Sequence, residues 1–140
     1  MIRRHTRRAF TLIELLLVLV ILAVLAAVVV PRLTGRVEGA KRSGTIADIS
    51  NIKTALGIFE TDNGRFPTTE EGLEALMSCP NADLQGTWRG PYLEKLPLDK
   101  WQTAYIYECP GTDDPYSYDL SSAGPNKIPG DDDDIKKNQE

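Results

Sequence analysis

The strongest constraint in the sequence is an apolar run at residues 10 to 30, FTLIELLLVLVILAVLAAVVV, in which Glu14 is the only charged residue. As a helix rising about 1.5 Å per residue, these 21 residues reach about 30 Å, the hydrocarbon thickness of a bilayer. We therefore predict a transmembrane helix over residues 10–30, followed by a separate folded part.

Residues 1–9 place four arginines immediately before this run. Positive charge beside a hydrophobic segment tends to stay in the cytoplasm, so the chain after the helix is predicted to lie across the membrane. A secretory signal peptide is the alternative, but its apolar core spans about 7 to 15 residues and ends in a small-residue cleavage site. Pro31 follows the run here without a clear A-x-A sequence, although alanines at 23, 26 and 27 leave that alternative open.

Glu14 lies within the apolar run, where an acid costs about 2 to 3 kcal/mol even on lenient insertion scales. Such a residue usually has a partner or a role. The simpler explanation is that Glu14 lies about one turn inside the membrane edge and reaches water. The residue by itself leaves both explanations open.

The sequence RRAFTLIE at residues 7–14 resembles the start of type IV pilin-like proteins, in which a basic leader ends before phenylalanine and the fifth mature residue is glutamate. The resemblance implies cleavage by a prepilin peptidase between Ala9 and Phe10, and N-methylation of Phe10. Glu14 would pair with the freed α-amino group of a neighbouring subunit, since unpaired charges in an apolar bundle are expensive. Ala9 departs from the glycine usual in the family.

Behind the helix, residues 31–140 are long enough for one compact domain with a modest core. The chain carries 16 Lys+Arg against 20 Asp+Glu, and without the leader arginines the balance is 12 against 20, a net charge of −8. This acidity argues against nucleic acid as a partner. The single histidine, His5, lies in the leader, so histidine-dependent catalysis and histidine metal ligation are excluded for the mature chain.

Apolar residues recur at steps of three and four between Ile46 and Phe59, which predicts a helix with one buried face. Pro31 and the glycines at 35, 39 and 44 weaken the stretch that joins this helix to the membrane segment. We therefore expect a kinked or locally melted joint over residues 31–44.

Asn63 and Gly64 are expected to end the helix, because Asn-Gly supplies the left-handed backbone that terminates helices. Thr68 and Glu71 have the spacing of a capping box. A second, shorter helix is predicted after them.

Two short β-prone runs, residues 104–109 and 116–120, are separated by a loop rich in proline, glycine and aspartate. They are expected to pair as a hairpin and to pack on the 46–59 helix. Trp88 and Trp101 are expected to fill core or loop-packing positions. The predicted fold class is α+β, with a long N-terminal hydrophobic helix packed on a small C-terminal antiparallel sheet.

Three further segments are similar to the major pseudopilins of type II secretion: FPTTEEGLEAL at 66–76, GPYLEKLPLDKW at 90–101 and YSYDLSSAG at 116–124. With the start of the chain, the match covers nearly the whole sequence in the family's order, and it implies a pilin-like fold. The departures are Lys100 in place of proline and Gln-Thr-Ala at 102–104 in place of Gly-Asn-Pro.

Cys79 and Cys109 are the only cysteines. In an exported domain an isolated pair is often oxidised, and a disulfide closing this loop of 31 residues would stabilise the fold by roughly 3 kcal/mol. The alternative is two independent buried thiols, since the sequence does not show whether their Cα atoms are close.

The stretch SSAGPNKIPGDDDDI at residues 121–135 is rich in oxygen donors, glycine and proline. This composition suits Ca²⁺, although the spacing is not that of an EF-hand. On composition, a plain solvated acidic tail is the alternative.

The pseudopilin resemblance implies a structural Ca²⁺ site in this stretch. Its ligands would be Asn126, Asp133 and Asp134, with backbone oxygens near Ala123 and Ile128. Asn126 stands where the family has an acid, and the next residue is lysine where the family has glycine. We therefore expect a weaker or altered site, and we expect calcium to raise the melting temperature.

The same resemblance implies a structural, non-enzymatic subunit of the type II secretion pseudopilus, which polymerises through its N-terminal helix and drives folded exoproteins across the outer membrane. The implied partners are other copies of the chain, minor pseudopilins, the prepilin peptidase and the inner-membrane secretion platform. Residues 1–9 would be the leader, the N-terminus would be cytoplasmic and residues 31–140 would form a periplasmic domain. A type IV pilus pilin, acting in adhesion, motility or DNA uptake, is the alternative. A membrane-anchored enzyme is disfavoured, since the mature chain lacks histidine, a G-x-S-x-G sequence and a phosphate loop.

Overall fold

The longest element of the computed structural model is α1, an α-helix of 52 residues over Leu12–Asn63. The backbone is described for residues 10–138, and the side chains for the same residues except 28–34. For the joint predicted over residues 31–44, the melted alternative is wrong, because the described backbone stays helical through Pro31, whereas the kinked alternative stays a prediction. A proline removes one helical hydrogen bond at a cost of about 3 kcal/mol, and the helix nevertheless continues on both sides of Pro31.

The chain divides into two compact units, Met1–Glu38 and Gly39–Glu140. In the first unit, the large apolar side chains from Leu12 to Leu25 are 48–79% exposed. Where side chains are described, no helical stretch meets the length and hydropathy of a bilayer span. The predicted transmembrane segment extends to Val30, and its last three residues lie outside the described side chains.

In the second unit, the carboxyl-terminal half of α1 buries one face, as its apolar spacing predicts. Ile49, Ile52, Leu56 and Phe59 are buried, and Ile46 packs at the edge of the same cluster. Their recurrence at three and four residues places them on one side of the helix.

The end of α1 is confirmed at Asn63, after which Gly64 has φ 73° and donates its N–H to Glu60 O at 2.7 Å. The capping box is also present. Thr68 N donates to Glu71 Oε2 at 2.9 Å, and Glu71 N donates to Thr68 Oγ1 at 3.2 Å.

The element after this capping box is a 3₁₀ helix of four residues, Leu73–Leu76, instead of the predicted second α-helix. A second 3₁₀ helix covers Ala82–Leu84. Gly72 separates the capping box from the first of them with φ 61°, a left-handed conformation that no α-helix can contain. The sequence pattern showed the cap but not this break.

The sheet has three antiparallel strands in the order β1-β2-β3: Ile106–Glu108, Asp119–Ser122 and Ile135–Lys136. Strands β1 and β2 form the predicted hairpin, with Tyr107 opposite Leu120. Strand β3 was not predicted, because two residues that follow four aspartates give no alternating pattern. It pairs Ile135 with Ser122.

One core joins the helix and the sheet in this unit, which confirms the α+β prediction. The buried face of α1 shares its cluster with Tyr107, Tyr118, Leu120 and Ile135. The two tryptophans also lie where they were expected. Trp101 belongs to this cluster, and Trp88 packs against it and donates Nε1–H to Ala75 O at 3.0 Å.

Candidate functional site

The amino-terminal candidate site consists of Phe10, Thr11 and Glu14 at the start of α1. Phe10 is largely exposed, and Ala9 lies outside the described residues. Glu14 Oε2 accepts hydrogen bonds from Thr11 N at 3.1 Å and from Thr11 Oγ1 at 3.0 Å. Glu14 N donates in return to Thr11 Oγ1 at 3.4 Å. Thr11 and Glu14 thus form a capping box at the first turn of α1.

This role of Thr11 was missed in the sequence. The signal that could have shown it is Thr-x-x-Glu directly before an apolar run, the pattern correctly interpreted at Thr68 and Glu71. The capping box gives Glu14 a partner within its own chain, whereas the resemblance implied a partner on a neighbouring subunit.

The second candidate site is the acidic loop, defined as residues 122–135, which covers the last residue of β2, the connection to β3 and the first residue of β3. Gly124, Lys127 and Gly130 have φ of 64°, 63° and 96°, and these left-handed residues turn the loop. A Cβ atom on Gly124 would lie 2.5 Å from Asp133 O, so the two arms of the loop approach too closely for any side chain there.

Within the acidic loop, Asn126 contacts both arms. Its Nδ2 donates to Asp131 Oδ2 at 2.5 Å and to Asp133 Oδ1 at 2.8 Å. Its Oδ1 accepts from Ile128 N at 2.7 Å. Asp133 N in turn donates to Asp131 Oδ1 at 3.2 Å. Asp131 therefore belongs to this group, although the sequence interpretation did not include it among the ligands.

The two carboxylates beside Asn126 influence each other. Hydrogen bonding to Asp131 raises the pKa of Asp133 above its ordinary value. The hydrogen bonds that Asp131 accepts from Asp133 and Asn126 lower the pKa of Asp131. The two shifts run in opposite directions, as expected for two neighbouring acidic groups that share hydrogen bonds.

Asp134 is the buried member of the loop, with 4% of its surface exposed. Its Oδ2 accepts from Gly130 N at 2.8 Å, whereas the buried Oδ1 has no hydrogen-bond donor among the described residues. A buried carboxylate oxygen without a donor is costly, and a bound cation relieves that cost.

The loop fits a calcium ion in its donor chemistry. Among the described residues, no group of three or more His, Cys, Asp or Glu side chains could hold a metal ion by itself, so a cation here would also need amide or backbone oxygens. The structure brings Asn126, Asp131 and Asp133 into contact, and it leaves one buried oxygen of Asp134 open. Ala123 is buried in the same loop, and Ile128 is exposed.

Asp99 holds the start of the acidic loop through hydrogen bonds. It is fully buried, and its Oδ1 accepts from Trp101 N at 3.0 Å and from Thr103 N at 2.7 Å. Its Oδ2 accepts from Ser122 Oγ at 2.7 Å, and Gly124 N donates to that same hydroxyl at 3.2 Å. The 99–103 turn and the first residues of the acidic loop are therefore tied together.

The predicted disulfide is not formed, because Cys79 and Cys109 are both free thiols. Cys79 Sγ donates to Asn81 O at 3.2 Å, and Cys109 Sγ donates to Ser117 O at 3.8 Å. Each thiol thus has its own backbone acceptor, as in the alternative of two independent thiols.

Comparison with known proteins gives consistent similarities over nearly the whole chain. The family model for type II secretion system protein G matches residues 32–138, and the model for the prokaryotic N-terminal methylation motif matches residues 4–30. The chain is 43% identical over 124 residues to type II secretion system core protein G of Pseudomonas aeruginosa, covering 87% of this chain and 86% of that protein. It is 41% identical over 131 residues to the core protein G of Klebsiella pneumoniae, with 92% of each covered.

A solved structure is similar as well. The crystal structure of the major pseudopilin from the type 2 secretion system of enterohaemorrhagic Escherichia coli matches with a TM-score of 0.64 and 35% identity. The match covers 77% of this chain and 95% of that one. It confirms the predicted pilin-like arrangement of a long helix and a small antiparallel sheet.

Proposed function

Because the chain belongs to the type II secretion system protein G family, we propose that it polymerises through the first half of α1 and that growth of the filament drives folded exoproteins across the outer membrane. The chain is a structural subunit of the type II secretion pseudopilus. The proposed role is assembly without catalysis, and this assembly takes place within the secretion system.

The observation that carries this proposal is the exposed first half of α1. Its large apolar side chains from Leu12 to Leu25 are each about half exposed or more, and they form one continuous surface. Soluble proteins rarely leave an apolar surface of this extent in water. The segment would therefore lie in lipid before assembly and against the same segment of other copies afterwards.

Processing would prepare the amino terminus for assembly. A prepilin peptidase would cut between Ala9 and Phe10, and Phe10 would then be N-methylated. In the filament, Glu14 of one copy would pair with the α-amino group of a neighbouring copy, which fixes their relative register because few other charges lie in the apolar core.

The proposed location is the bacterial inner membrane. The chain would cross it once with its N-terminus in the cytoplasm, as the leader arginines indicate, and residues 31–140 would lie in the periplasm. Its partners would be other copies of itself, minor pseudopilins and the inner-membrane secretion platform, in addition to the peptidase.

The acidic loop is proposed to be a weak site for a structural Ca²⁺, because Asn126 supplies an amide oxygen where the family has an acid. Asn126, Asp133 and Asp134 would contribute side-chain oxygens together with Asp131, and the backbone near Ala123 and Ile128 would contribute carbonyls. A bound ion would supply positive charge in a loop that carries four consecutive aspartates. The open Oδ1 of Asp134 supports this proposal.

Complementation of a gene deletion tests the proposed function. The deletion strain would be supplied with the wild type, with Glu14→Leu, or with Glu70→Leu, which removes an exposed acid from the unit Gly39–Glu140, here called the head domain. Release of a folded exoprotein into the medium is measured together with the amount of subunit in the membrane fraction. The wild type and Glu70→Leu should restore secretion. Glu14→Leu should remain in the membrane and fail to restore it.

Two outcomes would contradict the proposal. Normal secretion by the Glu14→Leu strain would show that the acid is not needed for assembly. Normal secretion by the deletion strain, together with the loss of surface pili, would instead favour a type IV pilus subunit.

A further inference from the structure

The Asn126 amide uses all of its hydrogen-bonding capacity inside the acidic loop. Both protons on Nδ2 are donated to carboxylates, one to Asp131 and one to Asp133, and Oδ1 accepts from Ile128 N. The two carboxylates come from the returning arm of the loop, five and seven residues along the chain. An amide nitrogen between two carboxylates is a favourable arrangement, because hydrogen bonds to charged acceptors are the stronger ones.

The position of this nitrogen is close to that of a bridging cation. Nδ2 lies 2.5 and 2.8 Å from the two carboxylate oxygens. Calcium lies about 2.3 to 2.6 Å from its oxygen ligands. An ion that bridged the same two oxygens would therefore need the space that the amide nitrogen fills.

The hydrogen-bonded loop and an ion-bound loop require opposite orientations of the Asn126 side-chain amide. The side chain now points its N–H groups at the carboxylates, whereas an ion would require Oδ1 in their place. Turning the amide over would remove the hydrogen bond from Ile128 N. Ion binding between Asp131 and Asp133 must then break three hydrogen bonds that Asn126 makes.

The backbone of the acidic loop is held in place independently of this amide. Gly124 and Asp133 approach closely, and Gly130 N donates to Asp134 Oδ2. Ser122 Oγ accepts from Gly124 N and donates to Asp99. The two carboxylates are thus presented to position 126 by the fold, and the residue at that position decides what compensates their charge.

We propose that the Asn126 amide takes the place of a metal ion between Asp131 and Asp133 and closes the acidic loop without metal. Calcium then binds in competition with the amide, a corollary that rests on the calcium site of the proposed function. An aspartate at position 126 removes the donor and adds a third carboxylate. The same loop then requires a cation, because affinity for Ca²⁺ rises with the charge of its ligands.

Thermal unfolding of the full chain in detergent micelles tests this proposal. Emission from Trp88 and Trp101, both in the unit Gly39–Glu140, reports on the head domain. The wild type and Asn126→Asp are compared in chelator and in calcium at about 1 mM, a concentration at which extracellular-type sites fill. Asn51→Asp makes the same chemical change on an exposed turn of α1 and is the control.

The wild type and the control should differ by less than about 3 °C between chelator and calcium, because the loop is already closed. Asn126→Asp should melt several degrees lower in chelator and recover in calcium, and its calcium affinity should be about 10-fold above that of the wild type. A variant as stable as the wild type in chelator would overturn the proposal. So would a large calcium shift of equal size in both proteins.

A second measurement observes the amide directly. In protein labelled with ¹⁵N-asparagine, the Asn126 NH₂ pair is identified as the signal that Asn126→Asp lacks. Its two protons should exchange slowly in chelator and keep their shifts when calcium is added at about 1 mM. Fast exchange in chelator would show that the amide does not bridge the carboxylates. If Asn126→Asp is destabilised but indifferent to calcium, the amide bridge stands and the calcium site of the proposed function is removed.

Discussion

Replacing Asp99 tests how far one buried carboxylate organises the head domain. Asp99 is fully buried and accepts three hydrogen bonds, from Trp101 N, Thr103 N and Ser122 Oγ. Asp99→Ala leaves these donors without that acceptor, at about 1 to 3 kcal/mol for each one that stays unsatisfied. Part of the loss is offset because a charge is no longer buried. We expect a net loss of about 3 to 5 kcal/mol in the free energy of unfolding.

Asp99→Asn separates geometry from charge. The amide oxygen can keep both backbone donors, and Ser122 can rotate its hydroxyl to accept from the amide nitrogen. The loss should be about 1 kcal/mol, because the hydrogen bonds remain and only their charge-assisted part is removed. Asp83→Ala removes an exposed aspartate and should change stability by less than about 0.5 kcal/mol.

Urea unfolding of the full chain in micelles, followed by tryptophan emission, measures these differences as shifts of the midpoint at constant slope. Two results would refute the reasoning. One is Asp99→Ala within about 1 kcal/mol of the wild type, which would mean that the three donors find other acceptors. The other is Asp99→Asn as unstable as Asp99→Ala, which would mean that the negative charge, and not the acceptor geometry, is what the fold needs.

Two further predictions follow from backbone conformation and from an ion pair. Gln102 has φ 66°, so Gln102→Gly should raise the free energy of unfolding by about 1 kcal/mol in the same urea assay, and a lower midpoint would contradict this. Glu71 accepts from both guanidinium nitrogens of Arg65 at 2.6 and 2.7 Å, and this hydrogen bonding lowers the pKa of Glu71 below 4.5. A carboxyl with a lowered folded-state pKa contributes stability that is complete above its unfolded pKa and is lost as the pH falls through the folded one. The stability advantage of the wild type over Glu71→Gln should therefore shrink from about pH 5 to about pH 3, and a constant difference would contradict the assignment.

The elements that could be predicted are those whose cause is local in the sequence. The buried face of α1 follows from the spacing between Ile46 and Phe59, and its end follows from Gly64, since both depend on neighbouring residues. Strand β3 and the 3₁₀ helix after Gly72 could not be predicted in this way. The strand exists because Ser122 offers it a partner, and the break depends on a single backbone angle.

For the candidate sites, too, the sequence predicted only what depends on neighbouring residues or on the family resemblance. Resemblance selected Asn126, Asp133 and Asp134, but it could not show that the Asn126 amide donates to carboxylates, because side-chain orientation depends on both arms of the loop. The contact between Asp99 and Ser122 joins residues 23 positions apart that no periodicity relates. The pairing of Cys79 with Cys109 likewise required positions in space, and the structure gives each thiol a different acceptor.

The capping box of Thr11 and Glu14 has a consequence for the removal of the leader. All three of its hydrogen bonds join atoms on the carboxyl-terminal side of the proposed cut between Ala9 and Phe10. Proteolysis there deletes residues 1–9 without removing a donor or an acceptor from the first turn of the helix. The precursor and the mature subunit can therefore share one helix start, and maturation changes the charge at the chain terminus while it leaves the fold of α1 as it was.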